Sequence, residues 1–73
     1  MARLPAISGA RAAKAFERAG WKIDRQHGSH LILLKPGHIA SLSVPQHKNL
    51  AHGTLRALIR AAGMTVEEFA TLL

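Results

Sequence analysis

Histidine is the residue type in this sequence best suited to chemistry near neutral pH, because an unperturbed imidazole has a pKa of about 6.5. The 73-residue chain contains five of them, His27, His30, His38, His47 and His52. A zinc site needs three or four converging ligands. The chain has no cysteine, Asp24 is the one carboxylate close in sequence to a histidine, and the net charge of +6 repels cations. We therefore expect no metal and no cofactor, the alternative being solvent-exposed imidazoles.

His30 is the histidine whose position suits catalysis, because it lies at the start of the predicted strand at 31–34, directly after Gly28-Ser29. RNA can be cleaved without a metal ion when a base removes the 2′-OH proton and the 2′-oxygen attacks the adjacent phosphate. An acid or a cation must then stabilise the charge that develops. An imidazole can serve as base or acid, and the amides of a Gly-Ser turn can face a phosphate. A histidine that starts a strand also fits a plain surface position, so the residues alone leave both interpretations open.

Positive charge dominates the sequence, with ten Lys or Arg against four Asp or Glu. Such an excess indicates a polyanionic partner such as nucleic acid. Arg56 and Arg60 are spaced i, i+4 on one predicted helix face, which is repulsive unless an anion lies nearby. We expect an RNA-binding surface that includes Lys22, Arg25, Lys48 and Arg56. The alternative is a solvated basic surface without a ligand.

The spacing of apolar residues predicts the elements that position these side chains. It predicts helices at residues 8–19 and 53–62, strands at 21–26, 31–34 and 40–44, and a short helix from residue 66. Ser8 and Thr65 are suited to cap helices, and Glu68 completes a capping box. Trp21 alternates with Ile23 and is expected in the core. The alternation along the second strand does not decide whether His30 shares the buried face.

This order predicts an α+β fold, α-β-β-β-α with a three-stranded antiparallel sheet and a short C-terminal helix. It resembles the double-stranded-RNA-binding fold, in which the helices pack on one face of the sheet and leave the other face open. The length predicts one domain, residues 1–73, and the 48% apolar content excludes a disordered tail. No membrane span or signal-peptide core is present, so we expect a cytoplasmic protein. A chain this short buries little surface, which favours a stabilising partner protein.

Beyond these patterns, the sequence resembles the HicA toxins, the RNA-cleaving halves of HicA–HicB toxin–antitoxin pairs. The matching segments are Leu4-Pro5, Ser8-Gly9, Gly20-Trp21, Arg25-Gln26-His27-Gly28-Ser29-His30, Val44-Pro45-Gln46-His47, Gly53-Thr54-Leu55-Arg56, Ile59-Arg60-Ala61-Ala62-Gly63 and Val66-Glu67-Glu68-Phe69. They follow one another in order and cover essentially the whole chain. A lone Gly-Ser-His would be a weak signal, whereas this set in register is specific.

The resemblance implies a metal-independent mRNA endonuclease with a double-stranded-RNA-binding-like fold, inhibited by a HicB-type antitoxin protein that masks its active site. The last residue of the Gly-Ser-His motif, His30 here, would be the catalytic residue, as general base or, in the alternative assignment, general acid. Gly28 and Ser29 would shape the turn against the RNA backbone. His47 would be a second acid or a phosphate donor. The sequence departs from the commonest pattern at His27 and at Ala10, which leaves the local phosphate contacts open.

Two other functions are compatible with the same residues. A non-catalytic RNA-binding module of this fold would bind RNA with strong salt dependence and create no new RNA ends. A partner-dependent structural subunit would show neither property and would unfold when separated from its partner. RNA and a HicB-type antitoxin are thus the expected partners, and a membrane is not.

Overall fold

The computed structural model describes residues 4–73, which form three helices and one antiparallel sheet. Their order is α1 (Gly9–Arg18), β1 (Lys22–His27), β2 (His30–Leu34), β3 (Leu42–Pro45), α2 (His52–Ala61) and α3 (Val66–Ala70). The strand order in the sheet is β1-β2-β3, with β2 in the centre. This confirms the predicted α+β architecture. Residues 1–3 lie outside the described residues. They belong to the predicted domain and to the N-terminal segment in which no signal-peptide core is expected.

One hydrophobic core joins the helices to one face of the sheet. The strands contribute Leu33, Leu42 and Val44, and the helices and loops contribute the large buried side chains Phe16, Trp21, Leu55, Ile59 and Phe69. Trp21 is only 1% exposed, which confirms its predicted place in the core. The apolar stripes of the helices are removed from water against this face and against one another, as in the contact between Phe16 and Phe69, whose ring centroids lie 5.0 Å apart.

The alternation along β2 decides which side chains the sheet leaves open. Leu33 is fully buried and Leu31 packs against the core. Since successive side chains of a strand point to opposite faces, His30, Ile32 and Leu34 project from the other face. No helix among residues 4–73 covers that face, so it is named the open face below.

β1 differs from the half-buried strand that its alternating sequence predicts. All six residues are exposed, and even Ile23, which pairs with the buried Leu33, is 45% exposed. The register shifts between Ile23 and Arg25, so Asp24 forms a β-bulge that interrupts the alternation. β1 is an outer strand with a neighbouring strand on one side only, which leaves more of its side chains in contact with solvent.

β3 is shorter than predicted, because it begins at Leu42 instead of Ala40. Pro36-Gly37 forms a turn closed by a 3.0 Å hydrogen bond from the His38 amide to the Lys35 carbonyl oxygen. Gly37 has a φ of +85°, as the third residue of a type II turn requires. The chain then bends before it pairs, and Ala40 stays exposed outside the sheet. The connection between β2 and β3 is thus a wide loop rather than a tight hairpin.

Both predicted side-chain caps are present. The Ser8 hydroxyl accepts a hydrogen bond from the Arg11 amide at 3.1 Å. Thr65 and Glu68 form a reciprocal capping box at 2.8 and 3.1 Å, which starts the short helix α3. The longest helices in residues 4–73 have 10 residues, and none of the described helices combines the length and the apolar character of a membrane span.

Candidate functional site

His30 is the first residue of β2 and lies half-buried on the open face. It follows a two-residue turn, Gly28-Ser29, in which Gly28 has a φ of +61° and Ser29 does not have a positive φ. This combination is that of a type II′ hairpin turn, whose twist matches that of the strands. The Gln26 side-chain amide donates a 3.1 Å hydrogen bond to the Gly28 carbonyl oxygen, which holds the turn from one side.

Three chain segments meet at this end of the sheet, and together they form what we call the junction: Ile7–Gly9, Ser29–His30 and Pro45–His47. The Gln46 amide donates to the Ser29 carbonyl oxygen at 2.7 Å, and the Gly9 amide donates to the His47 carbonyl oxygen at 2.9 Å. His30 itself pairs with Pro45 across the sheet. The start of α1, the turn before β2 and the end of β3 are therefore fixed to one another through main-chain atoms.

Gly9 allows this close approach. A Cβ atom at Gly9 would lie 1.9 Å from the Pro45 carbonyl oxygen and 3.0 Å from the Gln46 Cα. Both contacts are with backbone, which cannot rotate away as a side chain can. Only glycine fits where α1 begins against the end of β3, and the sequence shows this requirement only as a Ser-Gly pair at a helix start.

His27 is the direct cross-strand partner of His30. Residues that face each other on paired strands share one face of the sheet, so both imidazoles belong to the open face. His27 is exposed and His30 is half-buried. In the sequence, His27 and His30 flank the predicted hairpin turn, but of the two a role is predicted only for His30, and His27 is a departure from the commonest pattern. The signal was present, because two residues that flank a two-residue hairpin turn must face each other.

Arg25 lies on the same face, opposite Ile32, two residues along β2 from His30. Its Nη1 forms an ion pair of 2.6 Å with Asp24 Oδ2, and the Arg25 side chain remains 62% exposed. An exposed pair of this kind contributes at most about 1 kcal/mol, so a phosphate can compete for the guanidinium. Of the predicted phosphate-binding arginines and lysines, Arg25 is the one that the strand register brings nearest to His30.

The other predicted RNA-binding residues are spread over the molecule. Lys22 pairs with Leu34, four residues along β2 from His30, or about 14 Å at 3.4 Å per residue. With Ile23, Leu34, Lys35 and His38, it lines an open groove of about 560 Å³.

At the end of the sheet opposite to Lys22, His47 and Lys48 lie exposed in the loop after β3. The main chain of His47 belongs to the junction. Arg56 lies exposed on α2, in the helical layer that covers the core face. The predicted cations therefore do not form one compact patch around His30.

The acidic residues leave the open face almost free of negative charge. Glu17, Glu67 and Glu68 belong to α1 and α3, and Asp24 is the one acid of the sheet. Within residues 4–73, no three His, Asp or Glu side chains converge as metal ligands. The side-chain hydrogen bonds found among these residues do not include either imidazole of the pair. The site can thus offer ring nitrogens for proton transfer and an arginine for a phosphate.

Comparison with known proteins adds one finding. A family model described as HicA toxin of bacterial toxin-antitoxin matches residues 9–64. The matched segment begins at the first residue of α1 and ends just before the capping box of α3, so it contains the whole sheet and the junction from Gly9 onward. A search of curated proteins gave no match.

Proposed function

Because the chain belongs to the HicA toxin family of bacterial toxin–antitoxin systems, we propose that it is an endoribonuclease that cleaves mRNA without a metal ion. His30 is its catalytic residue, and a HicB-type antitoxin inhibits it. The observation that carries the proposal is the position of His30. Its imidazole stands on the open face of the sheet, beside the two-residue Gly28-Ser29 turn and without a side-chain hydrogen bond among the described residues.

His30 acts in this reaction as the general base. It accepts the 2′-OH proton of a bound nucleotide while the 2′-oxygen attacks the adjacent phosphorus. The products are a 2′,3′-cyclic phosphate and a free 5′-OH end. A general base contributes about 10²–10⁴-fold to the rate of such a step. The Gly28-Ser29 turn supports this role, because a turn without bulky side chains lets the RNA backbone approach the start of β2.

The phosphates are bound by cations on both sides of His30. Arg25 is the nearest, two residues along the open face. Lys22 and Lys48 extend this surface toward the two ends of the sheet, and Arg56 adds a contact on α2. Lysine and arginine contacts of this kind position the backbone without reading the base sequence.

The family implies an antitoxin partner, and we assign the HicB-type antitoxin to the open face. That face presents the catalytic imidazole, the apolar side chains Ile32 and Leu34, and little negative charge. A protein that covers this face would exclude RNA from His30. It would also bury apolar surface that a domain of this size leaves exposed when it folds alone. Since mRNA is the substrate, the site of action is the cytoplasm.

The test compares wild type with His30→Ala in two assays. We expect the variant to lose growth inhibition on expression and to cleave purified RNA at least about 100-fold more slowly. His52→Ala, an exposed histidine at the start of α2, is the matched control and should retain both activities. If His30→Ala cleaved RNA as fast as wild type, the assignment of His30 would be wrong. Excess EDTA should leave cleavage unchanged, and strong inhibition by EDTA would contradict the metal-independent mechanism.

A second candidate function, non-catalytic RNA binding, is favoured by one observation, the spread of Lys22, Lys48 and Arg56 away from His30. A binding module would retain salt-dependent RNA affinity in wild type while producing no new RNA ends. Analysis of the RNA termini after incubation with wild-type protein separates the two functions, because the nuclease leaves 5′-OH ends and the binding module leaves none.

A further inference from the structure

We propose that His27 is the second catalytic residue of this site, the general acid that protonates the leaving 5′-oxygen while His30 acts as base. The inference rests on the proposed function and names the residue that supplies a proton to the leaving oxygen. It comes from the pairing of the two histidines across the β1–β2 hairpin.

The hairpin fixes the distance between the two side chains. His27 and His30 are paired residues on adjacent antiparallel strands, and such residues have Cβ atoms about 4.5–5.5 Å apart. The turn between them contains only Gly28 and Ser29, so neither histidine can shift along its strand without breaking the turn. Both imidazoles therefore project from the same face of the sheet.

The surroundings leave both rings available. The side-chain hydrogen bonds of residues 4–73 do not involve His27 or His30. Arg25, the nearest cation on this face, can hold a non-bridging phosphate oxygen, and its partner Asp24 lies on the bulge rather than between the histidines. The arrangement therefore supplies a base, an acid and a phosphate contact within two adjacent strands.

A second group of this kind completes the proton balance of the cleavage step. Neutral His30 takes the 2′-OH proton, and the 2′-oxygen forms a bond to phosphorus. The bond from phosphorus to the 5′-oxygen breaks, and protonated His27 gives its proton to that oxygen, which leaves as a 5′-OH. The two imidazoles end with exchanged protonation states and return to the starting states by exchange with water.

His27 fits this role better than His47, the other histidine near the junction. The main chain of His47 is fixed to Gly9, but its side chain lies in the exposed loop beyond the end of β3, and no strand pairing places it opposite His30. The register of β1 and β2 places His27 directly opposite His30. His47 is therefore the alternative general acid, and the experiment must distinguish it from His27.

The experiment uses two RNA substrates of one sequence, one of them with sulfur in place of the 5′-bridging oxygen at the cleavage site. A thiolate leaves without being protonated, so this substrate does not need the general acid. On the oxygen substrate we expect His27→Gln and His30→Gln each to lower the cleavage rate about 100-fold or more. On the sulfur substrate we expect His27→Gln to cleave within about threefold of wild type, while His30→Gln stays slow. His52→Gln is the matched control and should resemble wild type on both substrates.

Other results overturn the inference in distinguishable ways. If His27→Gln cleaves the oxygen substrate at the wild-type rate while His30→Gln is inactive, the nuclease stands and the role of His27 is wrong. A slow His27→Gln that the sulfur substrate does not rescue also excludes a general acid there. Rescue of His47→Gln in place of His27→Gln would assign the acid to His47. Absence of cleavage by wild-type protein would instead contradict the proposed function itself.

Discussion

At the scale of the residue, the alignment of the two histidines depends on Gly28. Its φ of +61° lies in a region that side chains with a Cβ rarely adopt, although no neighbouring atom lies within 4 Å of a Cβ placed there. A side chain at this position would therefore be disfavoured by the backbone conformation and not by a steric clash. Gly37, in the turn at the other end of the sheet, has the same two properties at a φ of +85°.

These two glycines make a matched pair of substitutions. We expect Gly28→Ala and Gly37→Ala each to lower the free energy of unfolding by at least about 1 kcal/mol, because each forces alanine to adopt a positive φ. Only Gly28→Ala should also reduce RNA cleavage, by about 100-fold, since a displacement of about 1 Å in a catalytic group has that effect. Urea unfolding followed by Trp21 fluorescence gives the stability, and cleavage of purified RNA gives the rate. Equal cleavage by both variants would contradict the need for a rigid turn beside His30.

Several residue-level features could be predicted from the sequence and others could not. Trp21 was recognisable as core from its alternation with Ile23, and His30 from its place after Gly-Ser. The face occupied by His30 could not be predicted, because alternation along β2 gives two equivalent sets and only packing against the helices selects one. The sequence also suggested burial for Ile23, which the edge position of β1 leaves exposed.

At the scale of the element, α1 and β3 are locked together at Gly9. The helix begins so close to the end of β3 that the Pro45 carbonyl oxygen occupies the space of a Cβ. The same contact orders the loop that carries His47 and Lys48. A side chain at Gly9 must therefore displace either α1 or the end of β3. Either displacement also changes the junction at His30.

We expect Gly9→Ala to lower the free energy of unfolding by about 1–3 kcal/mol, as overpacking against backbone does. Gly53→Ala, near the start of α2, is the control, because a Cβ at Gly53 meets nothing within 4 Å. There the higher helix propensity of alanine should raise stability by up to about 1 kcal/mol. Chemical denaturation of the two variants beside wild type measures the difference. A Gly9→Ala protein as stable as Gly53→Ala would show that the close approach is not required.

The elements were largely predictable because their signals are local. Ser8, Thr65 and Glu68 cap helices through atoms three residues away, and the sequence pattern of such caps is specific. The junction was not predictable, since it consists of main-chain hydrogen bonds between segments far apart in the chain. The late start of β3 is a related case. The type II turn at Gly37 changes the direction of the chain, but the following residues do not pair with β2 until Leu42.

At the scale of the whole molecule, the nine basic residues among residues 4–73 are spread over the helices, the strands and the loops instead of forming one patch. Of the four acids, Glu67 and Glu68 lie on α3, Glu17 lies on α1 and Asp24 lies on the sheet. A single RNA strand that passes His30 can therefore contact only some of the cations at one time. This limits how strongly salt can weaken binding.

We expect the logarithm of the RNA affinity to fall with the logarithm of salt concentration with a slope of about −3, if Lys22, Arg25, Lys48 and Arg56 each contact one phosphate of single-stranded RNA. Replacing one of them by glutamine should reduce the slope by about 0.7. Lys14→Gln, on the exposed side of α1, should leave it unchanged. Titrations with the His30→Ala background avoid cleavage during the measurement. An unchanged slope for Lys22→Gln would remove that lysine from the RNA-binding surface.

The bulge at Asp24 also affects how copies of this protein can meet. The outer edge of β1 has no neighbouring strand among the described residues, and an unpaired edge can template the addition of a strand from another molecule. Here that edge is short, charged at Lys22, Asp24 and Arg25, and bent by the bulge, all of which oppose such addition. The edge of β1 therefore resists the addition of a further strand, while one face of the sheet stays uncovered for the proposed RNA substrate or an antitoxin.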